Sequence, residues 1–168
     1  MLTSRYIQEG DQSLLEQFQC DDEVTVRKFL TEEALNLHLL NLASTRLYFN
    51  EEGNLVGYFT LYNDMMQIGK SKRIKHKVYV PSYKFYPAVK LHYLGVDSRY
   101  RKNGFGEYLL LSVLEIVTEI ARLSGCIFLS VESLPNAVGF YNKYEFQYLS
   151  NNKPFINMFF KVNELTIT

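Results

Sequence analysis

The stretch DSRYRKNGFGEYLLL, residues 97–111, sets basic residues and glycines ahead of an apolar helical run. Arg99, Arg101 and Lys102 crowd the approach, and Gly104 and Gly106 follow, one residue apart. A strand ending at Val96, a tight loop and a helix starting near Gly106 would aim the helix's first-turn N–H groups, with their partial positive charge, at whatever lies beyond the loop. Without a Cβ, Gly104 and Gly106 let a ligand approach the backbone closely. A phosphate seated there would accept several N–H bonds. The chemistry on offer is anion binding at a helix N-terminus. The same residues also suit a plain strand-to-helix turn, because short glycine motifs are common.

The elements that must position this loop follow from periodicity. Residues 21–43 are expected to be helical in two pieces, with Leu30, Ala34, Leu37 and Leu40 at helical spacing and Thr31-Glu32-Glu33 opening the second. TRLYFN (45–50) and LVGYFTLY (55–62) form a hairpin about the turn Glu51–Asn54. AVKLHYLGV (88–96) is a strand, and a long helix runs from about Gly106 to Leu123 before Ser124 and Gly125 end it. CIFLSVE (126–132) has the near-continuous apolar character of a strand buried on both faces. NAVGFYNKY (136–144) is a short helix, and closing strands fit near Phe146–Tyr148 and Phe155–Val162. The order implies one domain over 1–168: an α/β fold with a mixed, mostly antiparallel central sheet, a parallel βαβ core and helices on both faces.

Composition narrows the classes. A chain of 168 residues with 47% hydrophobic and 21% charged residues can bury a core without staples. Formal net charge is zero, so general attraction to nucleic acid or anionic membrane is not built in, and any basic function must be local. Cys20 and Cys126 are the two cysteines, with no C-x-x-C spacing and no metal-ligand pattern. Cys126 sits in an apolar run as a small core residue, whereas Cys20 is either buried or a reactive thiol. MLTSRYIQEGDQ has no apolar signal-peptide core, and no run of about 18 apolar residues exists. The expectation is a soluble protein of the reducing cytoplasm, with no membrane partner.

VDSRYRKNGFG resembles the central motif of the GNAT superfamily of acyl-CoA-dependent N-acetyltransferases, V-x-x-x-x-[RQ]-x-x-G-x-[GA]. Val96, Arg101, Gly104 and Gly106 match it. Downstream, SLPNAVGFYNKYEFQYL (133–149) resembles the family's second conserved element, an Asn and an Ala followed by F-Y-x-x-x-G-F. Asn136, Phe140, Tyr141 and Phe146 match; Ala137 follows the Asn directly, and Glu145 stands where Gly is usual. The two elements span roughly residues 88–149.

The resemblance implies acetyl-CoA as co-substrate and an amine as acceptor. It implies that Arg101, Lys102, Asn103, Gly104, Phe105, Gly106 and Glu107 wrap the pyrophosphate of coenzyme A. Leu94, Gly95 and Val96 belong to a splayed strand, with Val96 backbone pairing the pantetheine arm and an N–H near Leu94 serving the oxyanion. Gly95 marks either a bulge in that strand or a weak point. Asn136 bonds the pantetheine or a neighbouring loop, or caps a helix. Phe140 and Lys143 complete the coenzyme contacts. Tyr141 is the acid for the departing thiolate, its ordinary pKa of about 10 keeping a proton available. The general base is open among His92, Glu132 and a water chain.

The acceptor is less defined. FQCDDEVTVRKFLTEEA (18–34) loosely resembles an F-x-C … F-L-x-x-x-A pattern of acetyltransferase toxins from toxin–antitoxin systems, which modify aminoacyl-tRNA. Asp21 replaces a Gly and Val26 a Leu. On that resemblance the basic run GKSKRIKHK (69–77) and the aromatics after it become a candidate tRNA contact; otherwise they are a solvated loop. A small amine or a protein amine is the competing acceptor, and a non-catalytic acyl-CoA-binding module the third reading. Asp21, Asp22, Glu23, Glu32 and Glu33 are read as a wet helix face. Aromatics near the C-terminal strands could support a homodimer.

Overall fold

The structure, a computed structural model, describes residues 1–162. Seven strands form one sheet in the order β1-β2-β3-β4-β5-β7-β6. They are β1 (Thr3–Tyr6), β2 (Ser44–Phe49), β3 (Leu55–Met66), β4 (Tyr86–Val96), β5 (Phe128–Ser133), β6 (Gln147–Asn152) and β7 (Phe155–Lys161). The α-helices are α1 (Gln12–Glu16), α2 (Val24–Glu32), α3 (Ala34–Leu39), α4 (Lys70–Lys75), α5 (Phe105–Ser124) and α6 (Val138–Lys143). Pairings β1–β2, β2–β3, β5–β7 and β6–β7 are antiparallel, and β4–β5 is parallel. The expected α/β class, mixed sheet and parallel βαβ core are all present. The chain divides into two compact units, 1–62 with 92–113, and 63–91 with 114 onward. Strands β3 and β4 and helix α5 each contribute residues to both.

In the first unit, α2 buries Val26, Phe29 and Leu30, the i, i+3, i+4 face of an amphipathic helix. They join Leu15, Phe18, Leu47 and Tyr58 in one core cluster. The Tyr58 hydroxyl, buried with its ring, donates to Val26 O at 2.6 Å, and the pair needs that bond because an unsatisfied buried hydroxyl is costly. The two expected helical pieces form, but the break falls at Glu33, not Thr31. Thr31 Oγ1 instead donates back to Arg27 O and Lys28 O, which keeps it inside α2. Two glycines set how closely the strands pack. A Cβ on Gly95 would lie 2.5 Å from Val26 Cγ1 and 3.0 Å from Tyr58 Cε1; one on Gly57 would lie 2.9 Å from both Gly95 O and Leu109 Cδ2. Gly95 is therefore a packing glycine, a role that the sequence did not suggest.

In the second unit, β5 is buried apart from a half-exposed Glu132, and Phe128 packs edge-on against Tyr86 and Phe159. Each such buried ring contributes about 1.5–3 kcal/mol. Helix α4 lies inside the basic run 69–77, whose two readings were a tRNA contact and a solvated loop. Its Arg73 is buried and donates to Ile68 O at 2.8 Å. Cys20 is buried, the first of its two readings, and Cys126 is half-buried, not a full core residue. Among the described residues no helix is long and apolar enough to cross a membrane.

Candidate active site

In the first unit, β4 ends at Val96 and the chain turns into α5 around Asp97. This carboxylate is fully buried. It accepts bonds from the Gln19 N–H (2.9 Å), the Arg99 N–H (2.9 Å) and the Arg99 guanidinium (3.0 and 2.8 Å). Burial pushes its pKa up, but those donors outweigh burial and hold it below the ordinary carboxylate value. Around it the loop is strapped to residues 17–22. Ser98 N–H donates to Gln19 O at 2.8 Å, and Arg99 Nη2 to Gln17 O at 2.9 Å. Arg101 extends the strap, pairing with the Asp22 carboxylate and donating to Cys20 Sγ (3.2 Å) and Val96 O (3.3 Å). Asp22 is thus a structural partner and not part of a merely wet face. The Arg101 guanidinium is taken up by these partners, so a ligand over the loop would meet its backbone.

Past Arg101, Lys102 takes φ +64° and Gly104 φ +75°. Glycine at 104 takes this conformation without the strain that an L-residue would carry there. A Cβ built there meets nothing within 4 Å, so the space over the backbone is open. Gly104 O accepts the Tyr108 N–H at 3.0 Å and so starts the helical ladder; the first-turn N–H groups are left for another acceptor. Asn103 braces the loop, donating to Tyr100 O (3.0 Å) and Arg101 O (3.3 Å). Phe105 and Gly106 are half-buried, and Glu107 is exposed in the first turn, where a carboxylate suits the helix dipole. A cavity of about 540 Å³ borders Asn103, Gly104 and Phe105, but Glu51 and Glu52 line it too. Those carboxylates disfavour a polyphosphate inside it.

Upstream, β4 pairs with β5 from Ala88↔Phe128 to Leu91↔Val131, then runs on to Val96. Leu94 and Val96, half-buried, lie in that extension. So does His92, which makes edge-on ring contacts with Phe29 (5.0 Å), Tyr62 (5.1 Å) and Tyr93 (4.7 Å).

In the second unit, α6 carries Tyr141. Asn136 lies in the 3-10 turn Pro135–Ala137, and Ala137 is the N-cap of α6, so Asn136 is not its cap. The helix ends with Glu145 N–H donating to Asn142 O (3.1 Å) and Phe146 N–H to Tyr141 O (3.2 Å). Glu145 has φ +68°. These two bonds and the left-handed residue make a Schellman motif, and the Tyr141–Phe146 ring contact at 5.2 Å is its hydrophobic clasp. Glu145 therefore keeps the turn expected of the usual Gly. Phe140 packs edge-on against Tyr141 and Tyr144. Lys143 is exposed, its ammonium over the Tyr144 ring. Burial raises the Tyr141 phenol pKa well above 10, so the ring holds its proton throughout the neutral range.

A separate cavity of about 340 Å³ lies in the same unit, lined by Asp64, Lys90, Ser130 and Glu132 with Met65, Met66, Phe85 and Met158. Lys90 Nζ lies 3.0 Å from Glu132 and 3.9 Å from Asp64, and Ser130 Oγ donates to Asp64 at 3.2 Å. Glu132, a candidate base, is thus already a partner of Lys90. Pattern reading missed Asp97, Lys90 and Asp64. Asp97 had a signal: an Asp directly after a strand and before a turn. Lys90 had another, a cation inside the apolar run AVKLHY.

The acetyltransferase (GNAT) family model matches residues 12–146. No curated protein sequence matches the chain. Among solved structures, a bacterial toxin is 22% identical over 99% of this chain and 93% of its own, with TM-score 0.84. AtaT complexed with acetyl-methionyl-tRNAfMet is 24% identical over 99% and 98%, with TM-score 0.81. AtaTR bound with AcCoA is 25% identical over 99% and 98%, with TM-score 0.80.

Proposed function

This chain belongs to the acetyltransferase (GNAT) family, and from that premise we propose that it moves the acetyl group of acetyl-CoA directly to a primary amine. The observation that carries the reading is the turn from β4 into α5, with Gly104 at φ +75° under open space and a 20-residue helix behind it. Backbone N–H groups from Arg101 to Glu107 take the coenzyme pyrophosphate, and Lys102 adds charge. The Val96 backbone holds the pantetheine arm; Asn136, Phe140 and Lys143 are the remaining coenzyme contacts. The amine nitrogen attacks the thioester carbonyl, and the Leu94 N–H, beside Gly95, receives the oxyanion. The carbon–sulfur bond breaks, and the Tyr141 phenol gives its proton to the departing thiolate. The amine's own proton leaves to His92, to Glu132 or to water; the Lys90–Glu132 pairing favours the first and last.

The acceptor class we favour is the α-amine of an aminoacyl-tRNA. Its support is the likeness, across 99% of this chain, to AtaT complexed with acetyl-methionyl-tRNAfMet, together with the match at Phe18, Cys20 and Phe29–Leu30. The cytoplasm, where thiols such as Cys20 stay reduced, suits this reading.

Calorimetry with acetyl-CoA and single-turnover assays with methionyl-tRNA, a polyamine and a lysine peptide test it. Tyr141→Phe is expected to keep coenzyme affinity and to lose about 10²–10⁴ in kcat, and Gly104→Glu to lose binding. Wild-type protein that binds no acetyl-CoA removes the mechanism. Transfer to the peptide or polyamine, with none to methionyl-tRNA, removes the acceptor class alone.

A further inference from the structure

From Met65 to Val89 there is no Asp or Glu, and there are six Lys or Arg. Formal net charge is zero, so the rest of the chain carries six more acidic than basic residues. The segment is thus a run of uncompensated positive charge in an otherwise acidic chain. Four of its lysines, Lys70, Lys75, Lys77 and Lys84, are exposed. Aromatic faces are exposed among them: Tyr79 at 83%, Tyr83 at 64% and Phe85 at 42%. Single exposed aromatics are ordinary, but three within seven residues are the clustering that marks an interaction surface.

The segment is braced. Arg73 reaches through it, donating to Ile68 O (2.8 Å) and Ser82 Oγ (3.1 Å), with its guanidinium 5.7 Å over the Tyr86 ring. The Tyr86 hydroxyl in turn donates to Pro81 O (2.8 Å) and accepts the Tyr83 N–H (2.9 Å). Two buried side chains thus hold the loop 77–85 in one shape while its other rings face outward. The surface also leads somewhere. Phe85 lines the cavity floored by Lys90 and Glu132. Leu149 lines the same cavity, and its neighbour Tyr148 lies under the Lys72 ammonium at 5.4 Å. Asp64 and Glu132 give that cavity one negative charge beyond Lys90, which suits an incoming ammonium.

We propose that residues 69–85 form a platform for the single-stranded end of an RNA, with bases stacked on Tyr79, Tyr83 and Phe85 and phosphates on the lysines. Stacking on aromatic faces within a basic groove is the sequence-tolerant way to hold single-stranded nucleic acid. The inference rests on the reading of the acceptor as an aminoacyl-tRNA and adds the surface that grips it.

The test is fluorescence anisotropy with deacylated tRNA and with a blunt RNA duplex, for wild type, Tyr79→Ala/Tyr83→Ala and Lys72→Glu/Lys75→Glu. The expected result is tRNA binding that weakens with salt, preference for tRNA over the duplex, and loss of about tenfold or more in each double variant. Melting temperature and acetyl-CoA affinity should be unchanged, since none of these side chains is in the core or the glycine loop. The proposal is overturned by wild-type protein that does not bind tRNA, by equal affinity for the duplex, or by double variants that bind as wild type does. Acetyl transfer to methionyl-tRNA is assayed in parallel. Platform-dependent binding without transfer sinks the acceptor reading and leaves the platform; transfer that ignores both double variants sinks the platform and leaves the acceptor.

Discussion

Glu145 occupies a backbone conformation that glycine adopts without a steric penalty. Its side chain is exposed, so nothing it touches offsets the strain. Glu145→Gly relieves the Cβ clash of the left-handed region and returns part of the gain as unfolded-chain entropy, for a net stabilisation of about 1 kcal/mol. Urea unfolding checks this: the midpoint should rise with the m-value unchanged. The backbone bonds of the Schellman motif, to Asn142 O and Tyr141 O, need no side chain at 145, so the variant keeps Tyr141 where it is, and kcat should not move. At this scale the motif was legible because Phe140, Tyr141 and Phe146 keep their spacing. What residue types alone did not give was whether Glu145 preserved the turn, because left-handed φ at a non-glycine is decided by the surrounding bonds and not by the residue's own preference.

The loop between β4 and α5 is held as a unit by Asp97. Asp97→Ala leaves the Gln19 N–H without its acceptor and frees the Arg99 guanidinium, a loss of about 1–3 kcal/mol in folding stability by denaturant titration. The pH dependence has a definite sign. The folded carboxyl has a lowered pKa, so its contribution is present above the unfolded value of about 3.9 and is lost as pH falls through the folded value. Asp11, lowered by the Arg5 hydrogen bonds, and Asp22, lowered by Arg101, act in the same direction. Wild-type stability should therefore hold from neutrality to about pH 4 and drop below it, less steeply in Asp97→Ala. An acid limb identical in the two proteins would exclude this role.

The elements themselves divide by the strength of their patterns. Strand β4, helix α5 and strand β5 were legible from long apolar repeats. Strand β1 and helices α1 and α4 were not, because each is short with no clear apolar repeat and is held by tertiary bonds such as Arg5 donating to Asp11 or Arg73 donating to Ile68 O.

For the molecule as a whole, a net charge of zero conceals an uneven distribution, and this is why composition argued against nucleic acid while the surface argues for it. Which residues adjoin in space, such as Lys90, Asp64 and Glu132 drawn from three strands, is information that only sheet register supplies. The glycines at 57 and 95 act over the same range. Gly57→Ala would press on the Gly95 carbonyl and on Leu109 in the second turn of α5, displacing the loop that α5 anchors. Acetyl-CoA affinity should fall about tenfold, read by calorimetry, although residue 57 contacts no coenzyme in the proposed site; an unchanged affinity would mean that the strands can yield without moving the loop. A map of mutational tolerance drawn from activity would then place Gly57 among the ligand contacts. Intolerance in such a map measures distance kept as much as contact made, and a pharmacophore traced from it would include a position that no inhibitor could reach.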